Sequence, residues 1–118
     1  MNELKLEKRE IVKVIILNFQ NIVIKIQNIA LGGTNSANVD PKDLFAEAIK
    51  MCAPKIIIVH NHPSGNSLPS QQDIDFTEKM DKASKILGIQ LLDHIIIGYN
   101  EYTSIKSYLL ERKNSRWN

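Results

Sequence analysis

The chain has 118 residues, 43% hydrophobic and 24% charged, which is the composition of one globular domain and too little chain for two cores. Fifteen Lys and Arg stand against thirteen Asp and Glu for a net charge of +2, and residues 14–100 hold seven basic against eight acidic side chains, so the positive excess lies at the two ends. That distribution excludes a uniformly basic slab built for nucleic acid, and a chain of this length buries about two-thirds of its unfolded surface, enough to fold without disulfides or a structural metal.

The first residues, MNELKLEKRE, are charged, with no apolar h-region behind them, and no apolar run approaches the ~18 residues of a membrane span. Neither a secretory leader nor an anchor is therefore expected. Residues 11–18 (IVKVIILN) are rich in β-branched side chains and residues 22–31 (IVIKIQNIAL) alternate, with a polar break at 19–21, so a β-hairpin is predicted. The turn formers LGGTNSANVD end in Asp40 and Pro41, an N-cap and an N1 proline for a helix over 41–52 with Leu44, Phe45, Ala48 and Ile49 as its apolar stripe. Cys52, at the end of that stripe, is predicted to be a buried, inert thiol. As the only cysteine it excludes an intramolecular disulfide and fits a reducing compartment, with the cytoplasm as the expected location.

Pro54 stops the helix, and Lys55 leads into IIIV, a continuous apolar run that predicts a strand buried on both faces and closed by His60. The polar segment NHPSGNSLPSQQ precedes a second helix over 70–87, with Phe76, Met80, Ala83 and Leu87 on one face and Gly88 as its stop. Residues 89–97 (IQLLDHIII) predict another interior strand, residues 98–100 a turn, 102–105 a last short strand, and the remainder a brief helix or frayed tail. Strands placed between helices in the order ββαβαββ predict an α/β fold, a mixed β-sheet flanked by helices.

The chemistry concentrates in His60, His62 and Asp73. Imidazoles two apart on an extended chain point to the same side, and a loop that folds back brings the carboxylate of Asp73, in the first turn of the second helix, to the same point. Two neutral imidazoles and one carboxylate suit zinc, and three protein ligands leave a fourth position for water, the catalytic arrangement. Zinc lowers the pKa of such a water to about 7. Ser70 and Asp73 also fit a helix-capping pattern, S-x-x-D, which accounts for both without a metal. Capping does not account for two of the three histidines closing an apolar strand as H-x-H.

The string HNHPSGNSLPSQQD resembles the H-x-H-x(7)-S-x(2)-D motif of the JAB/MPN (JAMM) metalloprotease-like domains without a gap, and with LLDHIIIG downstream it resembles the bacterial RadC branch of that group. REIVKVIILN, GGTNSANVDP, Tyr102 and Ser104 extend the similarity over about residues 8–110, so the chain is expected to be one such domain over 1–118, with a C-terminal tail at 111–118. The resemblance implies a layered architecture similar to that of cytidine deaminases, and a zinc-dependent hydrolase that cleaves a peptide, isopeptide or related amide bond in a peptide or protein substrate. It implies His60, His62 and Asp73 as zinc ligands, Ser70 as hydrogen-bond donor to the oxyanion, and an early glutamate as general base and acid. Glu10, in Arg9-Glu10 just before the first strand, is the best match for that glutamate. Asn61 is a candidate for orienting the metal loop.

RadC proteins usually carry a helical, helix-hairpin-helix type segment before this domain and are associated with DNA repair. Here the chain begins about nine residues before the first strand, so contact with DNA is only weakly expected. The alternative to an enzyme is a protein- or DNA-binding module in genome maintenance. On an alternating strand Asp93 and His94 face opposite sides, and His94 is expected to be a histidine satisfied by a backbone carbonyl rather than a fourth ligand. A nucleobase deaminase is excluded, because H-x-E with P-C-x-x-C is absent, and there is no HEXXH helix. Gly32-Gly33 is a turn rather than a phosphate cradle, and Trp117 belongs to the tail.

Overall fold

The computed structural model describes residues 10–29 and 39–116, with side chains through residue 113. In chain order the elements are β1 (Val12–Leu17), β2 (Val23–Ile29), α1 (Pro41–Lys50), β3 (Lys55–Asn61), α2 (Gln71–Leu87), β4 (Gln90–Ile97), β5 (Tyr102–Ser104) and α3 (Ile105–Arg116). The strands form one mixed sheet in the order β2-β1-β3-β4-β5. Only β3 and β4 run parallel, and α2 is the crossover that a parallel pair requires. This is the α/β fold that the alternation of strand and helix patterns predicts. Residues 31–38 of the predicted turn, the first nine residues and Trp117 lie outside the described residues. Among the described residues no helix is long and apolar enough to cross a membrane.

Period-two alternation selects which strand residues meet the helices. Val12, Val14 and Ile16 of β1, Ile56 and Ile58 of β3 and Leu91 of β4 pack with Leu44, Phe45 and Ala48 of α1 and Phe76 and Met80 of α2 in the main core. Val59 and Ile97, with Ile11, Ile15, Ile57 and Ile95 partly buried against them, form a smaller cluster on the opposite face. β3 is thus buried on both sides, which is why its sequence is continuously apolar.

Several sequence expectations are corrected here. Ile49 and Leu87, each at the end of a predicted stripe, are 48% and 43% exposed. Cys52 is exposed rather than buried. The reason is the way α1 closes: Met51 caps the helix and packs on the core, and Cys52 turns left-handed at φ 53°. The Cys52 amide then donates to the Ile49 carbonyl at 3.0 Å and the Ala53 amide to the Ala48 carbonyl at 2.9 Å, a Schellman closure without glycine. Asp40 stands at the N-cap position of α1 but makes no side-chain cap. Of the two readings given for the end of the chain, a brief helix or a frayed tail, the structure shows the helix as far as Arg116.

One irregularity matters for the site. Leu91 pairs with Ile56 and Asp93 pairs with Ile57, so Leu92 is an extra residue in β4. Strict alternation from Leu91 turns His94 away from the helices. With the extra residue, His94 pairs with Ile58 and shares the helix-covered face.

Candidate metal centre

The site forms at the carboxyl end of β3. His60 follows Ile56 and Ile58 on the helix-covered face and is fully buried. Antiparallel pairing sets Val12 of β1 opposite His60, so Glu10, two residues earlier, arrives beside the imidazole, with Oε1 3.7 Å from His60 Nε2. Asn61, 1% exposed, accepts a 2.6 Å hydrogen bond at Oδ1 from the Ile11 amide. It therefore positions the segment that carries Glu10, in addition to ending the strand.

His62 leaves the strand while its amide still donates to the Ile97 carbonyl at 2.9 Å. The chain then turns: the Gly65 amide donates to the His62 carbonyl at 2.9 Å, with Gly65 at φ 89°, a conformation that favours glycine. The turn between β4 and β5 clamps this loop. The Tyr99 amide donates to the Gly65 carbonyl at 2.6 Å, and the Ser67 amide and hydroxyl donate to Glu101 Oε2 at 2.9 and 2.6 Å. Those two bonds, the hydroxyl's first, hold the Glu101 carboxyl below its ordinary pKa.

At the start of α2, Ser70 Oγ accepts from the Asp73 amide at 3.1 Å and Asp73 Oδ2 accepts from the Ser70 amide at 2.8 Å, a reciprocal capping box. The same carboxylate faces both histidines. Oδ2 is 2.9 Å from His62 Nε2, and Oδ1 is 3.3 Å from His60 Nε2. The capping role and a place in the candidate metal-binding cluster, which the sequence offers as alternatives, therefore coexist in Asp73. Burial alone raises the Asp73 carboxyl, but the two imidazoles and the Ser70 amide outweigh it and hold the group far below the usual carboxylate range. The Asp73 carboxylate likewise raises His62, against the opposing effect of burial and with help from the Asn66 carbonyl. Burial holds His94 well below its ordinary pKa.

One nitrogen or oxygen from each of His60, His62 and Asp73 lies within 4.8 Å of the others, so these three could hold a metal ion. The fit is tested by His60 Nε2, which is buried and has no hydrogen-bond partner. An orphaned buried nitrogen costs about 1–3 kcal/mol, a penalty that a coordinated cation removes. Two imidazole nitrogens and a carboxylate are a donor set that suits zinc, and the carboxylate lies within 3.3 Å of both rings. Ser70 borders the cluster through its bonds to Asp73, and its hydroxyl, while accepting from the Asp73 amide, keeps its own hydrogen to donate.

His94 is the core histidine that was expected, but its partner is corrected. The ring is fully buried and is satisfied by side chains rather than by a backbone carbonyl: Nε2 lies 2.6 Å from His60 Nδ1, and Nδ1 lies 2.7 Å from Thr77 Oγ1. Thr77, Ser67 and Glu101 carried no signal of their own in the sequence.

A mixed sheet with two histidines at the end of its central strand and an aspartate in the first turn of the next helix defines an α/β domain of the JAB type. The RadC-like JAB domain matches residues 1–110, and the chain belongs to that family. It is 49% identical over 106 residues to a UPF0758 protein of Clostridium botulinum, covering 90% of this chain and 46% of that protein. A UPF0758 protein of Carboxydothermus hydrogenoformans is 52% identical over 101 residues, covering 86% and 45%. One from Clostridium novyi is 47% identical over 106 residues, covering 90% and 46%. The chain thus spans a little under half the length of these relatives.

Proposed function

We propose that this domain is a zinc-dependent hydrolase of the JAMM type, acting on a peptide, isopeptide or related amide bond of a peptide or protein substrate. The observation that carries the reading is the convergence of His60, His62 and Asp73 with the Glu10 carboxylate beside them, centred on a buried nitrogen that lacks a partner. His60, His62 and Asp73 would hold the zinc, which would supply Lewis acidity and make water a nucleophile near neutral pH. Glu10 accepts the proton of the attacking water and delivers it to the leaving amine. The Ser70 hydroxyl donates to the substrate carbonyl oxygen as that oxygen gains charge.

The test is zinc stoichiometry by elemental analysis of protein purified without chelator and of protein reconstituted with zinc. One zinc per chain is expected, and His62→Ala should lose it while keeping the circular dichroism of the wild type. Wild-type protein that takes up no zinc after reconstitution overturns the proposal.

A further inference from the structure

We infer that His94 and Thr77 are positioning residues: a buried relay through them fixes the tautomer of His60 so that the Nε2 lone pair faces Asp73 and His62. The inference deepens the proposed metal site and rests on that reading for its consequence, but the tautomer itself is a property of the metal-free chain.

The relay runs from His60 Nδ1 to His94 Nε2 at 2.6 Å, from His94 Nδ1 to Thr77 Oγ1 at 2.7 Å, and from Thr77 Oγ1 to the Asp73 carbonyl oxygen at 2.8 Å. Each contact needs one hydrogen, and every imidazole nitrogen or hydroxyl in the chain can act as donor or acceptor. The carbonyl cannot donate, so it polarises the rest. Thr77 must spend its single hydrogen on the Asp73 carbonyl and therefore accepts from His94 Nδ1–H. Neutral His94 is then left with an acceptor at Nε2, which takes the hydrogen of His60 Nδ1. Neutral His60 in turn is left with a bare lone pair at Nε2, a buried atom that makes no hydrogen bond and has Asp73 Oδ1 3.3 Å away.

The reverse polarity sets the Thr77 oxygen against the Asp73 carbonyl with no hydrogen between them. Doubly protonating His94 buries a cation whose ring nitrogens meet only a hydroxyl and another imidazole, with no carboxylate in hydrogen-bond reach, and such a buried charge is strongly disfavoured. His60, His94 and Thr77 are at most 3% exposed, so bulk water does not compete for these bonds.

His62 is oriented by a shorter route: its Nδ1 lies 2.7 Å from the Asn66 carbonyl, which again can only accept, so Nε2 is the nitrogen turned to Asp73, with Oδ2 at 2.9 Å. Both histidines thus present Nε2 to the cluster because a carbonyl holds the other nitrogen's hydrogen. For His60 that carbonyl belongs to Asp73, the third candidate ligand. The relay therefore also ties the end of β3 to the first turn of α2.

The experiment uses the 118-residue chain with ¹⁵N-labelled histidine. Long-range ¹H–¹⁵N correlation at neutral pH on the metal-free protein should show His60 and His94 as Nδ1–H tautomers. Thr77→Val, nearly isosteric, removes the acceptor of His94. It should shift the His60 tautomer population and weaken zinc binding about 10- to 100-fold, while Thr77→Ser restores both. His94→Leu should act in the same direction, and Thr77→Val decides the matter if His94→Leu does not fold. His60 found as the Nε2–H tautomer in wild type overturns the inference, as does a folded Thr77→Val protein with unchanged tautomers and zinc affinity within twofold of wild type. If wild type shows the expected tautomers but takes up no zinc, the metal reading fails and the relay stands.

Discussion

Gly98→Ala is expected to be among the most damaging single-methyl additions outside the core. A Cβ on Gly98 sits 2.9 Å from the Ser67 amide nitrogen and closer still to the Gly65 carbonyl oxygen, and both are backbone atoms that cannot rotate aside. The requirement for glycine here is one of space, since the loop bearing His62 and the turn between β4 and β5 are in direct backbone contact. Relieving the clash separates them and weakens the Tyr99–Gly65 bond of 2.6 Å and the Ser67–Glu101 bonds. Overpacking of this kind costs about 1–3 kcal/mol, and each weakened hydrogen bond adds up to about 1 kcal/mol. The stiffer unfolded chain returns about 0.4–1 kcal/mol. The net expectation is a loss of about 2–3 kcal/mol. At this length that corresponds to about 4 °C per kcal/mol, or a fall of about 8–12 °C in Tm. Urea titration and thermal circular dichroism of the metal-free protein measure it, with zinc affinity as a second readout because the same loop holds the Asn66 carbonyl against His62. A variant within 0.5 kcal/mol of wild type, on the scale of an ordinary surface substitution, would refute the backbone contact.

Glu10→Gln should leave stability and zinc uptake unchanged while lowering hydrolysis of a cleavable substrate by about 10²–10⁴; full activity in the variant removes Glu10 from the proposed chemistry. Ser70→Ala removes the N-cap of α2 and should cost about 1 kcal/mol in urea denaturation, with a drop in turnover beyond any change in zinc affinity; a purely structural Ser70 shows the first effect without the second. Glu101 contributes stability above the ordinary glutamate pKa of about 4.3, and loses it as pH falls through its lower folded value, because the protonated acid no longer accepts from both Ser67 donors. The urea midpoint of wild type should therefore exceed that of Glu101→Gln by a constant margin near neutrality, and the margin should shrink below about pH 4; a margin independent of pH argues against the pairing.

Much of the molecule was legible before any coordinates, because it depends on short-range pattern. The β-branched runs became β1 and β3, Pro41 and Gly88 bounded their helices, and the H-x-H closing an apolar strand marked the site. The errors at Ile49, Cys52 and Leu87 share one physical cause: the apolar stripes were extended past the point where each helix closes. Cys52 continues the apolar stripe of α1 in sequence, yet it turns left-handed so that Met51 meets the core, and no local residue type announces that closure.

His60, His62 and Asp73 could be proposed as a cluster from spacing alone, because strand alternation and a helix N-terminus are local, and Ser70 joined them through the family resemblance. What surrounds them could not. Antiparallel pairing of β1 with β3 across more than forty residues brings Glu10 to His60, and the turn between β4 and β5 clamps the His62 loop. The extra residue at Leu92 turns His94 from the face that strict alternation assigns it to the face that holds His60. Pairing register is a property of two strands at once, and a one-residue shift exchanges every face beyond it. Only the assembled sheet therefore decided which of Asp93 and His94 would stand behind His60.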